Sequence, residues 1–310
     1  MNRLVVLGSV NADHVLRVPH FPRPGETLTG HSYQVVPGGK GANQAVAAAR
    51  LGAPVSFIAR IGDDAIGQQM RQGFVQDGID VSAVELDERL PTGIAIIYVS
   101  DEGENSIGIS AEANGALSVE MVQRHETMIA DAHTLLLQLE VPLESVFEAA
   151  RLARANGTRV VLNPAPARPL SAELLALVDL ITPNQTEAEL LTGVKVTNEE
   201  SAREAAVRFH QMGIKEVMIT LGAQGVYCSN AQQQVLIPGF RVEAVDSTAA
   251  GDTFNGALLA AELAGADFNA AVRFAHGAAA LSVTKYGAQS SIPGKGEVDT
   301  FLQAQAALGH

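Results

Sequence analysis

The strongest constraint on the fold is the recurrence of short apolar runs, each followed by a stretch of helical period. PVSFIARIG, Pro54–Gly62, precedes AIGQQMRQGFVQDG, which closes at Gly78. HTLLLQLEVP, His133–Pro142, precedes LESVFEAARLARANG, and TRVVLNPAPA follows it with Asn163 at its end. VDLITPNQTEAELLTG, the helix SAREAAVRFHQMG, and then KEVMITLGAQGVYCSN extend the series. Strand, helix and strand repeated in this way predict a parallel sheet with helices on both faces. The opening LVVLGSV, Leu4–Val10, is apolar throughout and reads as a strand buried on both sides.

Two segments break the pattern. From His14 to Val36 the chain is punctuated by Pro19, Pro22, Pro24, Gly25 and Gly30 between short alternating pieces such as HVLRV and SYQVV. These read as antiparallel strands. A similar piece returns in TGIAIIYV and ENSIGIS, joined by SDEG. The two pieces are expected to form one small sheet lying as a lid over the larger domain. One apolar face of such a sheet would suit a dimer contact. The expected division is a main α/β domain over 1–11, 36–90 and 113–310, with a lid over 12–35 and 91–112.

At 310 residues, with 47% hydrophobic and 18% charged residues, the composition is that of a soluble globular chain. A net charge of −13 argues against nucleic acid or an anionic membrane as partner. Any phosphate must therefore be held by local N–H groups, Lys, Arg or a metal. The single Cys228 excludes a disulfide framework and a cysteine zinc site. No apolar run approaches the roughly 18 residues of a membrane span, and the start does not read as a signal peptide. The expected location is cytoplasmic.

Three stretches carry chemistry. In DSTAAGDTFNGA, Asp246–Ala257, the small residues Ala249, Ala250 and Gly251 precede a helical pattern. They leave the first N–H groups of the helix uncovered, and with the helix dipole these form an anion site. Asp252 would repel a resting anion there. It fits a phosphoryl group in transfer, where a carboxylate takes the proton of the attacking hydroxyl. As an isolated feature it equally reads as a first-turn acid stabilising its own helix. In PGGKGANQAVAAARLGA, Gly38, Gly39 and Gly41 allow close backbone approach, and Lys40 and Asn43 share one side of an alanine-lined helix. The spacing is not that of a P-loop, and GxGxxG is absent. Finally, Asn11, Asp13, Glu140, Asn163 and Thr220 follow or end strands and would line one edge of the sheet.

GSVNAD, GGKGANQAVAAA, TPNQTEAE and AAGDTFNGA, in this order, resemble the ribokinase-like sugar kinase family, which also holds adenosine kinase and fructokinases. The likeness covers essentially the whole chain. It implies an α/β sandwich with a β lid, a homodimer joined through the lids, and transfer of the ATP γ-phosphate to O5 of D-ribose with Mg²⁺ and a K⁺-type activator. It also implies roles for residues. Sugar contacts fall on Asn11, Asp13, Gly39, Lys40, Asn43, Glu140 and Asp252, and Asp252 matches the base. Ala249, Ala250 and Gly251 match the anion hole, with Lys40 neutralising charge. ATP contacts fall on Asn184, Thr220, Gly222, Gly225, Gly251 and His276. Glu187, in Asn184-Gln185-Thr186-Glu187, matches the Mg²⁺ residue, and read alone it is a first-turn helix acid. The monovalent site falls on Asp246, Thr248, Ser282, Lys285, Gly287 and Ser291. A kinase of 2-deoxyribose or another furanose or nucleoside is the alternative. Glu112 departs from the family pattern, which has small residues before the Ala-Asn pair.

Overall fold

The computed structural model describes residues 3–307. Strands β1 (Leu4–Leu7), β2 (Asn11–Val18) and β3 (Ser32–Gly38) lead into helix α1 (Lys40–Arg50). Next come β4 (Val55–Gly62), α2 (Ala65–Gln76), β5 (Val84–Asp87), β6 (Gly93–Ser100) and β7 (Asn105–Ser110). Helices α3 (Val119–Arg124) and α4 (Glu126–Ala130) precede β8 (Thr134–Leu137), α5 (Leu143–Ala155) and β9 (Arg159–Leu162). Then follow α6 (Ala172–Leu175), β10 (Leu180–Ile181), α7 (Gln185–Thr192), α8 (Glu199–Gln211) and β11 (Glu216–Thr220). The remainder comprises β12 (Val226–Ser229), β13 (Gln234–Ile237), α9 (Ala250–Leu263), α10 (Phe268–Ser282) and α11 (Lys295–Ala307).

Nine strands form one sheet in the order β13-β12-β11-β10-β9-β8-β1-β4-β5. It is parallel from β11 to β5, and β12 and β13 add an antiparallel edge. The central strand β1 is buried on both faces, and its side chains alternate between two cores. Leu4 and Val6 belong to the core shared with α1, α9 and α10, whereas Val5 and Leu7 belong to the core shared with α3, α5 and α8. This alternation is the two-residue period of a strand sandwiched between helical layers.

The two proline- and glycine-broken segments join in one sheet, order β3-β2-β6-β7. The pairs β2–β3 and β6–β7 are antiparallel as expected, but β2 and β6 are parallel, with Asn11 opposite Gly93. The two antiparallel pairs join strands adjacent in sequence, through the short turn 101–104 and the longer loop 19–31. The central pairing joins segments more than seventy residues apart, so tertiary closure sets its direction.

Two strands are shorter than their apolar runs. β1 stops at Leu7, and Val10 is buried in a passage between sheets rather than in a strand. β8 stops at Leu137, so Glu140 stands in the loop beyond it. No described helix is long and apolar enough to cross a membrane.

Candidate active site

Three segments distant in sequence meet at the first turn of α9. Ala249 caps this helix in the left-handed region, φ 59°, and the Thr253 N–H bonds its carbonyl at 2.8 Å. Ala250 N–H closes a turn on the Ser247 carbonyl. The N–H groups of Ala249, Gly251 and Asp252 donate to no described residue. A Cβ added at Gly251 would meet nothing within 4 Å, so the helix mouth opens outward. Free N–H groups at the positive end of a fourteen-residue helix are the physical basis of an anion site.

Asp252 lies inside this mouth and is only 5% exposed. Asn43 Nδ2 donates to its Oδ2 at 3.0 Å and Gln44 Nε2 to its Oδ1 at 2.9 Å. Burial raises the Asp252 pKa and Glu140 adds to the rise, while Lys40, Asn43 and Gln44 oppose it. Burial works against the Lys40 ammonium, but Asp252, Glu140, Glu187 and Asp13 outweigh it and raise its pKa. Lys40 therefore stays charged among carboxylates.

The start of α1 is held to the loop beyond β8. Glu140 Oε2 accepts from Lys40 N at 3.0 Å and from Ser9 Oγ at 2.6 Å. Gly39 takes φ 91°, and a Cβ there would stand 2.7 Å from Asn11 N, so this turn requires glycine. Gly38 is required for a different reason: its Cβ would stand 2.0 Å from the Asp13 carboxylate. Asp13 is buried, and its pKa rises to about 7 through burial and the charges of Glu140 and Asp252, against Lys40. Asn11 Oδ1 accepts from Asn114 Nδ2 at 2.8 Å. The same Asn114 also bonds the Val10 backbone through both amide atoms, at 2.8 and 3.0 Å.

A cavity of about 560 Å³ lies between the small sheet and the loops 244–248 and 286–288, with Asp13, Val15, Arg17, Asp246 and Tyr286 in its walls. The Arg17 guanidinium stands 5.2 Å over the Tyr286 ring and bridges the two walls.

Asn184 caps α7 and forms a reciprocal box with Glu187: Asn184 Oδ1 accepts from Glu187 N and Glu187 Oε2 from Asn184 N, both at 2.8 Å. The first-turn role of Glu187 is thus real, and it uses only one carboxylate oxygen. Burial raises the Glu187 pKa and Asp252 adds to the rise, while the Asn184 N–H and Lys40 oppose it. Its second oxygen accepts no hydrogen bond among the described residues and is the atom that a hard cation such as Mg²⁺ would use, although no cluster of three acidic, His or Cys ligands surrounds it among those residues.

Asn184 bridges to Thr220 at the end of β11. The turn after Thr220 holds Gly222 at φ 58° and Gly225 at φ 117°. His276, on α10, packs edge-on against Phe254 at 5.4 Å, and its buried Nε2 has no partner among the described residues. Burial and Arg273 lower its pKa to about 4, so the ring is neutral at pH 7.

Asp246 ties two loops together. Its Oδ1 accepts from Thr248 N and Oγ1, and its Oδ2 accepts from Gly287 N at 2.9 Å. Burial opposes ionisation here, but the bonds from Thr248 and Gly287 prevail and lower the pKa. The carbonyls of Asp246, Thr248, Lys285 and Gly287 accept no hydrogen bond among the described residues. Unpaired carbonyls beside a fixed carboxylate fit a monovalent cation. Ser282 and Ser291 direct their hydroxyls to the Ala279 and Ala288 carbonyls. The Lys285 ammonium turns to Glu297 instead.

Sequence reasoning missed Gln44, Gln138 and Asn114, and also Asn255, whose Nδ2 bonds the Gly251 carbonyl at 2.8 Å while its Oδ1 accepts from Thr182 Oγ1 at 2.7 Å.

Comparison with known proteins gives the family. The chain is 56% identical over 300 residues to a ribokinase of Haemophilus influenzae, covering 97% of this chain and 98% of that protein. It is 44% identical to a ribokinase of Staphylococcus aureus, covering 94% and 97%. The structure of Arabidopsis thaliana ribokinase complexed with ribose and ATP superposes with a TM-score of 0.91 at 33% identity, covering 97% of this chain and 98% of that one. The profile of pfkB family carbohydrate kinases matches residues 1–295, and the chain belongs to that family.

Proposed function

We propose that this chain transfers the γ-phosphate of ATP to O5 of D-ribose, giving D-ribose 5-phosphate and ADP. The observation that carries the reading is the buried Asp252 carboxylate at a helix mouth with free N–H groups, held by Asn43 and Gln44 from another helix. High identity to ribokinases supports ribose as the acceptor.

Ribose is an uncharged ring of hydroxyls, so carboxylates and amides are the groups to recognise it. Asn11, Asp13, Gly39, Asn43 and Glu140 are assigned to that task, and a site bonding each hydroxyl rejects an analogue that lacks one. Asp252 accepts the O5 proton as the O5–P bond forms and the bond from phosphorus to the ADP oxygen breaks. The N–H groups of Gly251 and Asp252 and the α9 dipole receive the charge on the migrating phosphoryl group, and Lys40 adds a cation. Asn184, Thr220, Gly222, Gly225 and His276 are assigned to the nucleotide. Glu187 would hold Mg²⁺, which when bound neutralises phosphate charge. The carbonyls of Asp246, Thr248, Lys285 and Gly287, with Ser282 and Ser291 near them, would hold K⁺, which stiffens the loop before the anion site.

The outer face of the small sheet supports dimerisation through the lids. Tyr33, Val35 and Ile96 lie on it at 60%, 40% and 43% exposure, an apolar patch that a second copy would cover. Light scattering on a column should give twice the chain mass, and half that mass after Ile96→Lys. A monomer in the parent protein removes the dimer.

The decisive experiment is a coupled ADP-release assay over a panel of pentoses. Highest kcat/KM for ribose is expected. Preference for 2-deoxyribose would move the acceptor to the alternative sugar while leaving the chemistry in place.

A further inference from the structure

Helix α1 brings to Asp252 a second amide, Gln44, which is itself bonded from behind by a residue that none of the steps above employs. Gln44 Nε2 bonds Asp252 Oδ1 at 2.9 Å, the oxygen that Asn43 leaves free. Behind it, Gln138 Nε2 donates to Gln44 Oε1 at 2.6 Å. Gln138 follows β8, so the chain of bonds runs from the sheet through α1 to the mouth of α9. Gln44 and Gln138 are both 0% exposed. A Cβ on Gly8 would stand 2.0 Å from Gln138 Oε1, so the backbone has been cleared for this side chain.

A primary amide has a donor end and an acceptor end of nearly equal shape. Turned half a circle, Gln44 would set its oxygen against the carboxylate. The carboxylate accepts only, and the Gln138 NH₂ meets Gln44 Oε1, so both neighbours select the orientation in which Nε2 faces Asp252. The arrangement is costly for stability alone: Gln138 Oε1 is buried with no partner among the described residues. Apolar side chains of the same volume would fill the space without that penalty.

We propose that Gln138 and Gln44 are positioning residues, a relay that fixes the Asp252 carboxylate in one orientation and in its ionised form. The inference rests on the reading of Asp252 as the base. The other groups facing this carboxylate are Lys40 and Asn43 from α1, Glu140 from the loop after β8, Asp13 from β2 and Glu187 from α7. The relay acts beside these charges and changes none of them.

The test uses the full-length enzyme with Gln44→Met, Gln138→Met and the double variant. For each, kcat is followed against pH, beside thermal unfolding and ATP affinity. Gln44→Met should lower kcat by roughly 10- to 100-fold, the loss of one hydrogen bond to a charged group. The acid limb of its profile should move to higher pH. Gln138→Met should move the limb the same way by less. The double variant should be no worse than Gln44→Met alone, because Gln138 acts only through Gln44. A fall in melting temperature with a parental pH profile would reduce the relay to packing, and additive losses in kcat would break the chain of bonds. Should the methionine variants fail to fold, Gln44→Glu keeps the shape and replaces the donor with an acceptor. It should be nearly inactive, and parental activity in it overturns the relay. Asp252→Asn separates the two readings: an inactive Asp252→Asn beside unaffected glutamine variants sinks the relay alone, and an active one sinks both.

Discussion

Asn43 Nδ2 lies 3.0 Å from Asp252 Oδ2, a buried bond that joins the first turn of α1 to the first turn of α9 across 209 residues. Both helices begin at glycine- or alanine-rich turns, and both first turns face the same opening. Nothing local in either helix needs this bond. It exists because the sheet order sets the two helices side by side on one face, where Gly256 meets the Ala47 side chain so closely that a Cβ would stand 2.6 Å away.

Asp252→Asn should retain fold and nucleotide binding and lose kcat by roughly 10²–10⁴, the usual worth of general base catalysis. The carboxamide cannot take a proton, and it offers Asn43 and Gln44 one acceptor where they met two. Steady-state kinetics and calorimetric titration with ATP check this. A kcat near the parental value would place the base elsewhere.

Asp13 gives a pH dependence with a definite sign. Its pKa is raised from 3.8 to about 7, first by burial and then by Glu140 and Asp252. A sugar hydroxyl that donates to it needs the ionised form, so kcat/KM for the sugar should fall as pH drops through about 7. The stability effect runs the other way. A folded pKa above the unfolded value means the native state holds an extra proton between 3.8 and about 7. Its favourable contribution is therefore full below 3.8 and lost as pH rises through about 7. Asp13→Asn should flatten the acid limb of kcat/KM, and should melt above the parent at pH 8 by more than at pH 5. Equal melting differences at both pH values would refute the coupling.

Much of this was legible in the sequence, for reasons that differ by residue. Leu4–Val10 reads as a buried strand because it is almost wholly apolar, and the structure makes a strand of Leu4–Leu7 and buries all four. The α9 mouth reads as an anion site because Ala249 and Gly251 add almost no side chain. Val10 misled, since an apolar residue in a buried passage looks the same as one in a strand. Gln44 and Asn114 gave no periodic signal: their partners lie 208 and 103 residues away, and an isolated amide carries no mark of what it will meet. The parallel joint between β2 and β6 was hidden for the same reason, because no turn connects them.

Asn114 is the clearest of these hidden residues. It satisfies both backbone groups of Val10 and fixes Asn11 Oδ1. Asn114→Leu would leave a buried N–H and C=O unpaired and should destabilise the protein by roughly 2–4 kcal/mol. With Asn11 released, the sugar KM should rise and the ATP KM should not. Denaturant unfolding and two-substrate kinetics test both halves, and an unchanged sugar KM would confine Asn114 to a structural role.

The Asp246 carboxylate binds loop 246–248 to Gly287, directly before the α9 mouth. A cation on the nearby carbonyls would hold that mouth in shape without touching substrate. Activity in potassium should exceed that in a choline buffer of equal ionic strength several-fold, chiefly through kcat. Equal rates would remove the monovalent site.

Glu112 adopts φ 47°, a left-handed conformation that suits glycine, two residues before Asn114. Its carboxylate accepts from the Ser110 hydroxyl at the end of β7. The side chain thus turns back onto the lid strand. Glu112→Gly relieves a steric cost of about 1–2 kcal/mol and returns roughly 0.5–1 kcal/mol through the freer unfolded chain. The net gain is under about 1.5 kcal/mol, so the melting temperature of so long a chain should rise by only about 1 °C. Because the carboxylate is engaged by Ser110, the ratio of kcat/KM for ribose over 2-deoxyribose should stay within about two-fold of the parent, below the ten-fold that one hydrogen bond of about 1.4 kcal/mol would produce. A ten-fold change in that ratio would put Glu112 in the sugar pocket and make it a specificity residue.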